Sequence, residues 1–200
     1  MSSLPPFAAV VLAGGRAARL GGQPKPQLDV GGRSMLSAVL AAVDGAAPRV
    51  VVGPPQPVPA GVLLTRESPP GGGPVPALAA GLAAVGDAEV VAVLAADLPF
   101  VTAAVVTALR ERLTGDGVLV VDDTGRDQLL LGVWRTAVLR TAVTGARPHI
   151  PLRAVLSPLA VRRYRPPALP DRPPPWTDCD TPAELARARA QSGGLRRERR

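Results

Sequence analysis

The chain of 200 residues alternates short apolar segments rich in Val with longer segments rich in Ala and Leu. The apolar segments have the length of buried strands, and the longer ones have the pattern of helices. Strands are predicted over residues 7–13, 49–53, 61–65, 89–97, 117–123 and 129–134. Because strands that alternate with helices are typical of βαβ units, we predict an α/β fold. The expected architecture is a three-layer, Rossmann-like domain with a mainly parallel central sheet.

Local signals mark the helices between and after these strands. The pattern predicts helices at about residues 34–43, from about Val75, after Thr102, from about Arg135 and from Thr181. Thr102 is placed to cap the third of them. At the last helix Thr181 can act as the cap, with Pro182 in the first turn and Glu184 completing a capping box. Residues 164–176 contain six prolines, so we predict an extended connector there.

The composition determines what the core can be made of. Apolar residues make up 46% of the chain, but only five residues are aromatic, so Val, Leu and Ala must form the core. A sheet buried on both faces suits this composition. Two hundred residues suffice for one substantial core, so we predict a single domain over residues 1–190. The remaining residues, 191–200, are predicted to form a basic, disordered tail.

The formal net charge of +7 comes largely from the C-terminal end. Residues 187–200 contain six Arg and one Glu, whereas the rest of the chain carries 17 basic and 15 acidic residues. No aromatic or groove-reading motif accompanies these arginines. We therefore favour a solvated tail over an arm that binds nucleic acid.

The single cysteine, Cys179, and the single histidine, His149, restrict the possible chemistry. One cysteine excludes an internal disulfide bond and a multi-cysteine zinc cluster, and it is compatible with a reducing compartment. No apolar segment reaches the length of a membrane span, and the N-terminus lacks the pattern of a signal peptide. We therefore expect a cytoplasmic protein that does not engage a membrane.

A glycine-rich segment, VVLAGGRAARLGGQPKPQLDVGG at residues 10–32, overlaps the end of the first predicted strand. Backbone N–H groups of such a turn can converge on an anion, and phosphate is the usual ligand. The glycine spacing fits neither G-x-G-x-x-G nor G-x-x-x-x-G-K-[ST], which excludes the standard dinucleotide-binding and Walker-type motifs. On this pattern alone, a phosphate-binding loop and a plain connector both stay open.

Three cations in this segment favour a ligand. Arg16, Arg19 and Lys25 have few acidic neighbours, so they would repel one another unless solvent or an anion lies between them. A nucleoside triphosphate would supply the negative charge, and a solvated loop is the alternative for the two arginines. Lys25 is the only lysine in a chain that otherwise uses arginine, which favours a specific function for its ammonium group.

Carboxylates follow the central strand and precede the last helix. Asp97 ends the predicted strand 89–97, at the sheet edge where open α/β folds bind ligands. Mg²⁺ binds one or two carboxylates together with substrate phosphates and waters, so Asp97 is a candidate metal ligand. The alternative is that Asp97 caps the following helix. Asp178 and Asp180 are candidates for a second metal ligand, and Asp180 is also placed to assist the cap at Thr181.

Four segments together resemble the molybdenum cofactor guanylyltransferases, which are nucleotidyltransferases of the nucleotide-diphospho-sugar-transferase-like group. They are VVLAGGRAARLGG with Lys25 after it, GGGPVPALAAGL, AADLPFV and DCDTPAELARA, in this order between about Val10 and Ala190. The resemblance implies that Leu12, Ala13 and Gly14 line the nucleotide pocket and that Gly15 continues the phosphate loop. It also implies that Lys25 contacts the triphosphate and that Asp97 binds Mg²⁺.

Three positions depart from the pattern of that family. Pro24 stands before the lysine where relatives often have Asp, and Asp178 and Asp180 stand in a motif that is often Asn-x-Asn-Thr-Pro. A guanosine-contacting Asn of the family would fall near Gly53, which has no side chain. These departures bear on the identity of the base and of the acceptor more than on the type of reaction.

The resemblance implies transfer of GMP from GTP to the terminal phosphate of molybdopterin or molybdenum cofactor, with release of pyrophosphate. Lys25, Arg19 and one Mg²⁺ would neutralise charge during the transfer. A molybdenum insertion protein or a recipient apo-enzyme would be a further partner. Alternatives are a CTP-dependent cytidylyltransferase, another nucleotidyltransferase with a phosphate acceptor, and a non-catalytic nucleotide- or cofactor-binding protein. Residues 125–128, GRDQ, are interpreted as an ordinary turn rather than as acceptor contacts.

Overall fold

A seven-stranded mixed sheet forms the centre of the computed structural model, which describes residues 4–14, 19–20, 23–147, 149–170 and 172–197. In chain order the strands are β1 (Ala8–Leu12), β2 (Arg19–Leu20), β3 (Gln23–Pro24), β4 (Arg49–Val52), β5 (Val62–Thr65), β6 (Val90–Ala95), β7 (Gly117–Val121), β8 (Asp127–Arg135) and β9 (Val161–Tyr164). The large sheet has the order β5-β4-β1-β6-β8-β7-β9, and β2 pairs with β3 in a separate antiparallel pair. β8 is antiparallel to β6 and β7, while the other neighbours in the large sheet run parallel. The predicted α/β fold with a mainly parallel sheet is confirmed.

Helices cover both faces of this sheet. In chain order the α-helices are α1 (Met35–Ala42), α2 (Pro74–Ala84), α3 (Ala103–Glu111), α4 (Thr136–Val143), α5 (Leu152–Leu156) and α6 (Pro182–Arg197), of which α6 packs in a separate small cluster. α1 and α3 pack in one buried cluster, and α2, α4 and α5 pack in another. Along β1, Ala9 and Val11 belong to the first cluster and Val10 and Leu12 to the second, as the alternation of a strand requires. The arrangement is therefore three-layered.

Helix α2 lies close to the sheet because Gly81 has no side chain. A Cβ atom at this position would come within 2.5 Å of a Val10 methyl group and 2.9 Å of a Val52 methyl group. α2 follows β5, and β5 runs parallel to β4, so the N-terminal end of the helix lies where the strands have their C-terminal ends. This edge of the sheet carries the candidate site.

The predicted helix starts are confirmed in detail. The side chain of Ser34 caps α1 by accepting a hydrogen bond from the Ser37 N–H, and Thr102 caps α3. At α6 the Glu184 carboxylate accepts from the Thr181 N–H at 2.8 Å, and Thr181 Oγ1 accepts from the Glu184 N–H at 3.2 Å. These two bonds form the predicted capping box.

Several features of the fold were not predicted. Strand β9 has only two half-buried positions beside two exposed arginines, and α5 is five residues long and follows a proline, so both give weak sequence patterns. Helix α6 runs as far as Arg197, into the segment expected to be a tail, and the Ser192 hydroxyl donates to the Ala188 carbonyl within this helix at 2.8 Å. Among the described residues, no helix is long and apolar enough to span a membrane.

Candidate active site

Lys25 lies at the start of a short 3₁₀ helix, Lys25–Gln27, directly after β3. The segment that follows is anchored by Leu28 and Val30, which pack in a small cluster with Leu185 and Ala188 of α6. Lys25 is only 6% exposed although it is charged. Its side chain therefore points into the protein from a backbone that is fixed by apolar contacts.

Two carboxylates receive the buried ammonium group. Lys25 Nζ donates a hydrogen bond to Asp97 Oδ2. It donates a second hydrogen bond to Asp180 Oδ1, at a distance of 2.5 Å. The Asp97 side chain is 22% exposed and that of Asp180 is 62% exposed, so the pair lies where the protein interior meets solvent. The structure thus brings together three of the residues for which sequence analysis predicted charge-related functions.

Asp97 follows β6 after one intervening residue. The Ala96 N–H donates to the Leu12 carbonyl at 3.0 Å, which holds the ends of β6 and β1 side by side. α3 is capped by Thr102 rather than by Asp97, so the alternative interpretation of Asp97 as a helix cap is wrong. Its carboxylate is instead bound to Lys25.

Asp178 and Asp180 flank Cys179 in the segment before α6. Cys179 is fully buried in the cluster that includes Leu28 and Leu185, whereas both aspartates are exposed. The inward cysteine fixes the segment, and Asp180 contacts Lys25 from this position. The cap of α6 is formed by Thr181 and Glu184, which leaves Asp180 available for the ammonium group.

The burial and the charges of this site shift the pKa values of three of its ionisable groups. Burial by itself lowers the pKa of Lys25, but the hydrogen bonds and charges of Asp180 and Asp97 outweigh it and raise the pKa above the ordinary value. Partial desolvation raises the pKa of Asp178, and repulsion from Asp180 and Asp97 raises it further. Burial raises the pKa of the Cys179 thiol to about 11, so at neutral pH it is a protonated thiol rather than a nucleophilic thiolate.

The predicted nucleotide-binding residues lie beside this cluster, at the end of β1. Leu12 and Ala13 are buried, and Gly14 is exposed. The Ala13 N–H donates to the Val52 carbonyl at 2.7 Å, which fixes the backbone immediately before Gly14. Gly15 and Arg16 lie outside the described residues. Arg19 belongs to β2, where its backbone pairs with Pro24. The side chain of Arg19 lies outside the described part of the structure.

Gly53 approaches the same segment so closely that no side chain fits. A Cβ atom there would lie 2.9 Å from both the carbonyl carbon and the carbonyl oxygen of Ala13. The Gly53 N–H also donates to the Thr65 carbonyl at 2.9 Å. Gly53 therefore contacts the backbone of Ala13, in the segment predicted to bind the nucleotide, without a side chain of its own.

A cleft of about 620 Å³ is lined in part by Asp97. Its wall is formed by the start of α2, the end of β6, the turn between β7 and β8, the start of α5 and the segment before α6. Arg126, Arg153 and Trp176 line it together with Asp97 and Asp178. Sequence analysis gave no function to Arg153 or Trp176, because they lie in the unpredicted helix α5 and in the proline-rich connector.

The carboxylates provide a test of the predicted magnesium site. Among the described residues, no group of three or more His, Cys, Asp or Glu side chains is arranged to hold a metal ion. Mg²⁺ does not require such a group when substrate phosphates and waters complete its coordination. Oxygen atoms of Asp97 and Asp180 already converge on one cation, the Lys25 ammonium. These two residues therefore fit a metal that is shared with a phosphate ligand.

Comparison with known proteins identifies the family of the chain. A family described as the MobA-like NTP transferase domain matches residues 9–163. A probable molybdenum cofactor guanylyltransferase of Mycobacterium tuberculosis strain H37Rv is 36% identical over 139 residues, which are 66% of this chain and 69% of the relative.

Two solved structures share the fold. A Mycobacterium sp. strain JC1 homologue of M. tuberculosis Rv0371c superposes with a TM-score of 0.74 at 23% identity, covering 94% of this chain and 98% of that one. The 2-C-methyl-D-erythritol 4-phosphate cytidylyltransferase of Thermus thermophilus has a TM-score of 0.68 at 20% identity, covering 94% and 99%. The family match spans β1, Lys25 and Asp97 and extends to β9. The chain is therefore a nucleotidyltransferase that belongs to the MobA-like NTP transferase domain family.

Proposed function

We propose that this nucleotidyltransferase transfers GMP from GTP to the terminal phosphate of molybdopterin or of its molybdenum-loaded form. An oxygen of the acceptor phosphate attacks the α-phosphorus of GTP, the bond between the α-phosphorus and the bridging oxygen breaks, and pyrophosphate leaves with the electron pair. The product is a molybdopterin guanine dinucleotide. The guanylyltransferase name of the 36% identical relative supports this choice of substrates.

One observation carries the proposal: a buried lysine held by two aspartates beside the end of β1. Phosphoryl and nucleotidyl transfer depend on positioning and on the neutralisation of charge, and not on a covalent intermediate. Lys25 is protonated and held in place, so its ammonium can donate to phosphate oxygens. The exposed Gly14, at the start of the glycine-rich segment, lets the triphosphate approach the backbone closely.

Mg²⁺ would be held by Asp97 and Asp180, with Asp178 as a further candidate in the wall of the cleft. When bound, the metal would supply positive charge to the phosphate oxygens. Lys25 would then move its hydrogen bonds from the carboxylates to the triphosphate. Arg19 is proposed as a second cation that contacts the triphosphate, because it lies in the same glycine-rich segment as Lys25.

The test is the release of pyrophosphate by purified protein with Mg²⁺, molybdopterin and each of the four nucleoside triphosphates in turn. Release with GTP alone supports the proposal, and Asp97→Asn should reduce the rate by orders of magnitude. Asp87→Asn is the matched control because it removes the same charge from an exposed turn. Release with CTP alone would identify a cytidylyltransferase. Nucleotide binding without release for all four would contradict the proposed reaction and favour a binding protein.

A further inference from the structure

We propose that Arg126 and Arg153 bind the phosphate group of the acceptor in the cleft beside Asp97, an inference that rests on the function proposed above. The cleft shares Asp97 with the cluster around Lys25, so a ligand in it lies next to the proposed metal. An acceptor phosphate must reach the α-phosphorus of the nucleotide from such a position. The two arginines come from different parts of the wall, the turn between β7 and β8 and the start of α5.

Arg126 extends from a turn that is fixed by its own hydrogen bonds. The Asp122 carboxylate accepts from the backbone N–H groups of Thr124 and Arg126, both at 2.9 Å, and from the Gln128 amide at 3.0 Å. The Asp122 N–H donates to the Arg126 carbonyl at 3.0 Å. The Arg126 guanidinium forms no hydrogen bond or ion pair with the part of the chain that the structure describes. A rigid turn thus presents an exposed cation whose donors are available to an anion.

Arg153 is held at the wall by a weak contact. Its Nη1 lies 3.5 Å from Asp127 Oδ2, and its side chain is 58% exposed. The Asp127 carboxylate is occupied by Arg163, which donates to it through Nε at 2.7 Å and Nη2 at 3.1 Å. Asp127 already accepts two hydrogen bonds from Arg163. It therefore attracts Arg153 toward the cleft while the hydrogen-bond donors of Arg153 stay available. Arg153 can therefore turn to a phosphate at little cost.

Three of the four carboxylates in the cleft wall already have hydrogen-bond partners other than Arg126 and Arg153 side chains, so the donors of these two arginines stay available to a ligand. Asp97 binds Lys25, Asp122 is occupied within its turn, and Asp127 binds Arg163. Asp178 is repelled by the charges of Asp180 and Asp97, so it lies near the two proposed metal ligands. The phosphate is therefore expected between these carboxylates and the two arginines, within reach of a nucleotide bound at Asp97.

The rest of the wall indicates what carries the phosphate. Trp176 is half-buried and lines the cleft together with Leu98 and Leu152. An aromatic side chain beside cations suits a phosphomonoester attached to a flat heteroaromatic ring. A pterin phosphomonoester has this chemistry.

The probe is the phosphomonoester of 6-hydroxymethylpterin, titrated calorimetrically into wild-type protein, Arg126→Ala and Arg153→Ala. Each loss of a charge-assisted hydrogen bond to the phosphate should raise the Kd about tenfold or more. Arg162→Ala is the matched control, because Arg162 is an exposed arginine of β9 outside the cleft wall. Unphosphorylated 6-hydroxymethylpterin should bind the wild type more weakly and should bind all four proteins alike.

The outcomes separate this inference from the proposed reaction. Equal Kd values for the phosphomonoester in all four proteins, or no binding to the wild type, would overturn the assignment of the two arginines. An equal effect of the substitutions on both pterins would also overturn it, since the arginines would then not act on the phosphate. Pyrophosphate release by the same wild-type sample tests the reaction independently, so either conclusion can fail while the other stands.

Discussion

Lys25 donates a hydrogen bond to Asp97 through a buried contact between the glycine-rich segment and the end of β6. The same ammonium also donates to Asp180, from the segment before α6. Three distant parts of the chain therefore meet at one positive charge. In the function proposed above, this meeting point is where the charge of the triphosphate and its metal would be balanced.

Replacing Lys25 by Met tests the ammonium group while keeping most of the side-chain volume. We expect kcat/KM for the nucleotide to fall by about 2–4 kcal/mol in transition-state stabilisation, the scale seen when one preorganised donor is removed. The measurement is steady-state pyrophosphate release at varied nucleotide concentration. Thermal unfolding of the variant checks that the fold is intact. An unchanged kcat/KM in a folded variant would exclude Lys25 from contact with the triphosphate.

The same substitution should strengthen metal binding in the absence of nucleotide. Lys25 occupies oxygens of Asp97 and Asp180, the proposed metal ligands, so the ammonium and the metal compete for them. Mn²⁺ binding, followed by electron paramagnetic resonance of the free ion, should be tighter in Lys25→Met than in the wild type. Adding Asp97→Asn to that variant should abolish the gain. Equal Mn²⁺ affinity in wild type and Lys25→Met would show that the metal uses other ligands.

The sequence was sufficient to select Lys25 and Asp97 as site residues, but not to predict their contact or the neighbouring cleft. Lys25 and Asp97 were predicted because a glycine-rich turn and the end of a central strand are local patterns with a known place at a sheet edge. Asp180 was a candidate by charge alone, and only the packing of Cys179 and Leu185 defines its position. Its contact with Lys25 spans 155 residues, which no local pattern specifies.

The cleft depends on topology that the apolar pattern does not encode. The alternation of strands and helices predicts parallel strands, whereas β8 returns antiparallel between β6 and β7. Because β7 runs in the same direction as β6, the turn after it carries Arg126 to the edge where Asp97 lies. Arg153 arrives on a helix too short to be recognised. Residues 125–128 were interpreted as an ordinary turn, and the structure shows that this turn is also a wall of the cleft.

Gly53→Ala should destabilise the protein and weaken nucleotide binding together. The new Cβ atom would lie 2.9 Å from the Ala13 carbonyl group, so the backbone beside Gly14 must shift. We expect a loss of about 1–3 kcal/mol in the free energy of unfolding, measured in urea, and a higher Kd for GTP. Gly193→Ala is the control, because a Cβ atom at this helical position meets nothing within 4 Å. Retained stability in Gly53→Ala would show that the segment adapts without cost.

Asp127→Asn should reduce stability at neutral pH but not at low pH. The hydrogen bond from Arg163, opposed in part by desolvation and supported by the charges of Arg163 and Arg153, lowers the pKa of Asp127 below its ordinary value. A carboxylate with a lowered pKa in the folded state stabilises the fold above its unfolded pKa of about 4, and this contribution is lost as the pH falls further.

The two proteins should therefore differ by about 1 kcal/mol in unfolding free energy at pH 7, because the arginines are largely exposed, and the difference should shrink below about pH 4. Urea unfolding across pH 3–7 measures this convergence, and Asp87→Asn controls for the loss of one negative charge. A gap that stays constant down to pH 3 would mean that the substitution changes packing rather than charge. Convergence would show that the charge of Asp127, which contacts Arg163 of β9 and Arg153 of α5, stabilises this edge of the cleft.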